Sequence, residues 1–199
     1  TLKITLPAAI ISSFSGKEID ISMLAIAALG LGGGLIYMAS GYVMNLKNGK
    51  AQQAFGLLNT AGYNIGNFTL PFVQSFLGPM GVVVTSLFDT GNACICLGGA
   101  YSVASMVKDN SGFSVKKIGK ALIKSIPFDC YIIMITMNLL HIATPTPIVS
   151  LAEIIGNANA FVAMLMIGVG FKLNGSRDQV KDIVKILVVR YSLAAVFAC

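Results

Sequence analysis

Seven apolar runs, at roughly 2–16, 21–45, 54–77, 81–107, 126–142, 148–172 and 183–199, decide what this chain can fold into. A helix needs about 20 residues, at ~1.5 Å rise each, to cross a bilayer, and the interior runs approach or meet that length. Charged residues make up 11% of the chain and hydrophobic ones 55%. A soluble domain carries about 25% charged residues on its surface, so this chain has too few to cover one. A membrane β-barrel would show alternating segments of ~10 residues instead, and none are visible. The expectation is an all-α, polytopic membrane protein. The first and last runs are short and begin and end inside apolar sequence, so the chain reads as an internal piece of a longer protein.

The net charge of +6 is concentrated in particular linkers. Linker 45–53 holds Lys47 and Lys50, and linker 108–125 holds Lys108, Lys116, Lys117, Lys120 and Lys124. Linker 173–182 holds Arg177 and Lys181. The linkers between them set Lys17 against Glu18 and Asp20, then carry nothing basic at 78–80 or 143–147. Basic loops stay cytoplasmic, so this alternation places residue 1 inside and residue 199 outside a plasma (inner) membrane. No aromatic-basic interleaving accompanies the lysines, so nucleic acid is not an expected partner. Linker 108–125 divides the chain into halves. Its lysines follow helical spacing, which suits either a helix on the membrane surface or a solvated loop.

Little in the chain points to catalysis. Cys94, Cys96, Cys130 and Cys199 lie in apolar runs without disulfide or zinc spacing, and His141 is the single histidine. No nucleophile–base pair is visible, so neither an enzyme nor a bound cofactor or metal is expected.

The informative run is 54–77, AFGLLNTAGYNIGNFTLPFVQSFL. It carries Asn59, Thr60, Asn64, Asn67, Thr69 and Pro71 at membrane depth. Lipid offers amide groups no partners, so such a segment needs protein or a watery cavity beside it. Pro71 lacks an N–H and deprives the Asn67 carbonyl of its helical partner, so the helix is expected to break at Pro71. A second half-helix would begin there, its N–H groups and positive dipole end turned inward, where they attract anions. Asn64 and Asn67 share a face with this break. In the next run Asp89 lies about eight residues deep, ~12 Å along a helix, with Asn92 three residues further on the same face. A carboxylate there costs ~2.5–3.5 kcal/mol on insertion scales, which makes function its default explanation. Arg190 is expected to snorkel toward the cytoplasmic face. Gly30–Gly34 and Gly62–Gly66 suit close helix packing.

The stretch NIGNFTLP at 64–71, followed by FLGPMG and LFDTGNA, resembles the signature region of the auxin efflux carrier family. LAEIIGNANAFVAMLMIGVGFKL at 151–173 and LPAAII at 6–11 resemble other stretches of that family. The resemblance implies part of an inverted-repeat, ten-helix transporter with broken crossover helices, of which this chain would hold helices two to eight. It implies first-repeat helices over 1–107 (scaffold helix 2–16, transport-bundle helices 21–107). A cytoplasmic linker at 108–125 would lead to second-repeat helices over 126–199 (scaffold helices 126–172, transport-bundle helix 183–199, truncated). The implied function is a permease that exports or exchanges a small organic anion, such as a carboxylate or auxin-like acid, with protons as a candidate coupling ion. The substrate site would comprise Asn64, Asn67, Thr69, Pro71, Asp89 and Asn92, and a homodimer would form through the scaffold helices. Thr69 stands where the family has Gly, and Asn67 is an addition to the turn, so substrate preference does not follow. The alternatives are a ligand-binding membrane sensor and a sodium-coupled carrier of the bile-acid symporter type, the latter disfavoured because NIGNFTLP holds no acidic residue.

Overall fold

The computed structural model describes residues 3–109, 112, 114–170 and 177–198, without the side chains of 177–179 and 198. Every regular element among them is helical. The end of the sixth expected run, part of linker 108–125 and 173–176 lie outside the described residues, as does Cys199.

Helix α1 spans Thr5–Phe14, and α2 spans Ala25–Val43 behind a short 3-10 turn that Asp20 caps through the Ser22 N–H. Helices α3 (Lys50–Thr60), α4 (Leu70–Cys94) and α5 (Ala100–Asp109) follow, joined by two π-helical turns at Ile65–Thr69 and Ile95–Gly99. Then come α6 (Val115–Ile123), α7 (Ile126–Leu139), α8 (Thr146–Asn157), α9 (Asn159–Gly170) and α10 (Arg177–Ala198). Among the described residues three stretches are long and apolar enough to cross a membrane: Ile21–Val43, Lys50–Asp109 and Thr146–Gly170. Thr5–Phe14 and Ile126–Leu139 are shorter apolar helices.

Prolines mark several of the starts, because the first turn of a helix has N–H groups to spare. Pro71, Pro127 and Pro147 stand at the first or second helical position of α4, α7 and α8. Pro79 follows Gly78, whose φ of 65° and ψ of −165° no helix contains. There α4 folds back on itself. The proof is that Asn92 hydrogen-bonds Tyr63, residues that a straight helix would hold ~40 Å apart. The 60-residue stretch Lys50–Asp109 is therefore a helical hairpin with its tip at Gly78, as the 78–80 linker led us to expect.

Helix α1 packs mainly on α8, α7 and the hairpin, while α2 packs on the hairpin's α4 and α3, and α3 on α5. Where α2 meets α4 the backbones touch. A Cβ on Gly30 would stand 2.0 Å from the Phe88 carbonyl oxygen, and one on Gly91 would stand 1.9 Å from that of Ala27. One apolar core joins Leu6, Ile10 and Phe14 to Val82, Val83, Leu87 and Tyr131. Large apolar side chains also cover the outside, Phe76 at 79% exposure and Val169 at 76% among them. Water tolerates such a surface poorly, whereas lipid is a suitable solvent for it.

Candidate functional site

The hairpin is interrupted once in each arm, and the two interruptions lie side by side. In the first arm α3 ends at Thr60, Ala61 is extended (ψ 141°), and Gly62 takes a left-handed φ of 71°. Asn64 precedes the next helical turn, and its carbonyl accepts from the N–H groups of Phe68 (3.2 Å) and Thr69 (3.3 Å). In the second arm the π-helical turn Ile95–Gly99 holds a non-helical Gly98 (ψ −24° at an extended φ).

This corrects the expectation for Pro71. The break lies at 61–64, and Pro71 is buried in the first turn of α4, where its missing N–H does no damage. The signal for the true position was Gly62 within AGYN, a glycine two residues ahead of an asparagine. Gly62 also departs from the packing role expected of it: it serves the turn. Only a residue without Cβ fits, since a Cβ would meet the Cys96 sulfur at 2.2 Å.

Asn92 holds the two arms together. Its carboxamide oxygen accepts from the Tyr63 N–H (3.0 Å), and its nitrogen donates to the Tyr63 carbonyl (3.1 Å) and to Asp89 Oδ1 (2.9 Å). The side chain is 1% exposed, so this pairing substitutes for hydrogen bonds that water cannot supply. Asp89 uses its other oxygen to accept from the Tyr131 hydroxyl of α7 at 2.9 Å.

A cavity of about 220 Å³ opens beside the paired breaks. Asn64, Gly66, Asn67, Asp89, Asn92, Cys96 and Tyr131 line it, with Ser125, Pro127 and Phe128 from the start of α7. Four of the six expected site residues meet there; Thr69 and Pro71 lie outside the lining. The helical ladder of the second half-helix starts with the Phe68 N–H, so the first-turn N–H groups of Ile65 and Gly66 precede it, at the positive end of the dipole. The wall thus combines amides, one carboxylate and a helix N-terminus, a set able to orient a small polar or anionic solute.

Two participants were not legible in the sequence. Tyr131 sits 42 residues from Asp89, in a run where an aromatic residue looks like packing. Arg190 does not snorkel. Its Nη1 donates to the carbonyls of Asn59 (3.2 Å) and Thr60 (3.0 Å), and its Nη2 to that of Gly62 (2.9 Å). The guanidinium carbon also lies 5.7 Å from the ring centres of both Tyr37 and Tyr63. Among the described residues no cluster of three metal-binding side chains occurs. No protein-family model, curated protein or solved structure matches the chain.

Proposed function

We propose that this chain belongs to a multi-pass secondary carrier that moves a small organic anion, of the auxin efflux carrier type, and that it acts without chemical catalysis. The observation that carries the reading is the pair of interrupted helices, joined through Asn92 and Tyr63, beside a cavity lined by amides and a helix N-terminus. Carriers place substrate at such discontinuous helices near the bilayer midplane, with half-helix N-termini facing the anionic group. In this proposal Asn64 and Asn67 bind the solute, and Asp89 with Asn92 holds the site's shape and tunes proton coupling. Thr69 and Pro71 shape the turn behind it. The basic linkers face the cytoplasm across the plasma membrane, the chain forms part of a ten-helix inverted repeat, and dimerisation uses the scaffold helices.

The test is uptake of labelled carboxylates by the full-length protein in proteoliposomes. A hydrogen bond to a charged group is worth ~1.5–3 kcal/mol, so Asn64→Ala and Asn67→Ala should each raise KM about tenfold or more. A KM unchanged from wild type in both variants removes the cavity from the path. Saturable binding with no flux in the wild type would make the protein a sensor instead.

A further inference from the structure

We infer that the Arg190 guanidinium is a built-in cation at the carbonyl end of the first break, filling the place where a sodium-coupled carrier of this architecture would coordinate its ion. A broken helix presents two unlike ends. The N-terminal end of the second half is positive and favours an anion. The C-terminal end of the first half exposes carbonyls and carries about half a negative charge, which repels an anion and attracts a cation. Carriers use such unwound carbonyls to hold sodium.

Here the carbonyls of Asn59, Thr60 and Gly62 converge on one guanidinium at 2.9–3.2 Å. Gly62, at φ 71°, supplies the third of them just beyond the helix end. Tyr37 and Tyr63 offer ring faces to the same cation, and the Tyr37 hydroxyl donates to the Arg190 carbonyl at 3.0 Å. Docking of α10 does not account for this arrangement, because α10 has further polar ties. Gln52 donates to Asp182 (3.2 Å), and Lys185 donates to Asn45 (3.4 Å) and the Met44 carbonyl (3.3 Å). Arg190 is thus a positioning residue. It cancels the unfavourable end of the break and leaves the anion-attracting end unopposed.

Occupancy of the carbonyl end is independent of the carrier reading, while its consequence for transport rests on that reading, so the experiment has two readouts. The first is thermal melting of the purified full-length protein in choline or sodium chloride at equal ionic strength, with and without millimolar methylguanidinium. Wild type should melt at one temperature in both salts. Arg190→Ala should melt several degrees lower in choline and recover in part with methylguanidinium or sodium. Arg190→Lys, which keeps the charge, should melt near wild type and covers the case in which the alanine variant is not recovered. Sodium-dependent melting of the wild type or of the lysine variant overturns the proposal, as does an alanine variant that melts like wild type or that neither cation restores. The second readout is carboxylate uptake: independent of sodium in wild type, and stimulated by it in Arg190→Ala. If wild type moves no carboxylate, the carrier reading fails and the melting series still decides the fate of Arg190.

Discussion

Asn92 gives the Tyr63 peptide both the hydrogen bonds that a continuing helix would have supplied, and does so from a fully buried position. Removing the carboxamide strands the Tyr63 N–H, at a cost of ~1–3 kcal/mol, and leaves the Tyr63 carbonyl with the weak Cys96 thiol as donor. Asn92→Ala should therefore lower the melting temperature of the detergent-purified protein more than Asn67→Ala, whose side chain lines the cavity and is half-buried. Equal shifts would mean that Tyr63 finds other partners. Gly62 makes a sharper case, since two separate penalties meet there. Alanine pays for the left-handed φ, about 1–2 kcal/mol, and its Cβ also collides with the Cys96 sulfur. Gly62→Ala should thus be strongly destabilising, and Cys96→Ala in the same chain should recover only the steric part. A non-additive double-mutant cycle of that sign, read by melting, is the expected outcome.

At the scale of elements, the hairpin shows what the sequence could and could not convey. The apolar runs map onto helices because length and hydropathy are local properties: 21–45 became Ile21–Val43, and 126–142 became Ile126–Leu139. A break within the 54–77 run was legible because polar residues at membrane depth need partners, but its position, expected at Pro71, was not. Pro71 is the louder signal and Gly62 the effective one, since proline is harmless in a first turn while a positive φ ends any helix. The second break at Ile95–Gly99 went unread, because ICLGG is as apolar as its neighbours. Arg190 and Tyr131 were opaque for a different reason: their partners lie 128 to 131 and 42 residues away, and periodicity carries no such information. It follows that Pro71→Ala should leave the 61–64 break in place. Hydrogen exchange should show helical protection that stops at the end of α3 and resumes no earlier than Ile65, and unbroken helical protection through Gly62 would restore proline as the cause. Glycine spacing in α2 supports a companion prediction. Gly30 touches the Phe88 carbonyl, whereas a Cβ on Gly32 meets nothing within 4 Å. Gly32→Ala should be neutral or stabilise by up to ~1 kcal/mol through helix propensity, while Gly30→Ala should force α2 off α4 and destabilise by well over that amount.

For the whole molecule, α4 is the element that faces both ways. It packs on α2 on one side and on α1, α7 and α9 on the other. Across the second boundary Tyr131 of α7 donates to Asp89 at 2.9 Å, and Gln74 also ties α4 to α8 by donating to the Gly156 carbonyl at 3.1 Å. In the carrier proposal this boundary is where a moving bundle slides on a scaffold, and such motion needs the hairpin to cross the membrane twice with its tip at Gly78. The requirement fixes a pattern of sides. Residues in the 45–53 linker and at Lys124 must face one compartment, and Lys17, Gly78 and Thr144 the other. Single cysteines at Asn48, Lys124, Lys17 and Thr144, in a chain whose native cysteines are replaced, should be labelled by an impermeant maleimide in intact cells only at Lys17 and Thr144. All four should react once the membrane is opened. Labelling of Asn48 and Lys124 from opposite sides would leave the hairpin with an odd number of crossings, and no alternating-access motion could then be built on the paired breaks.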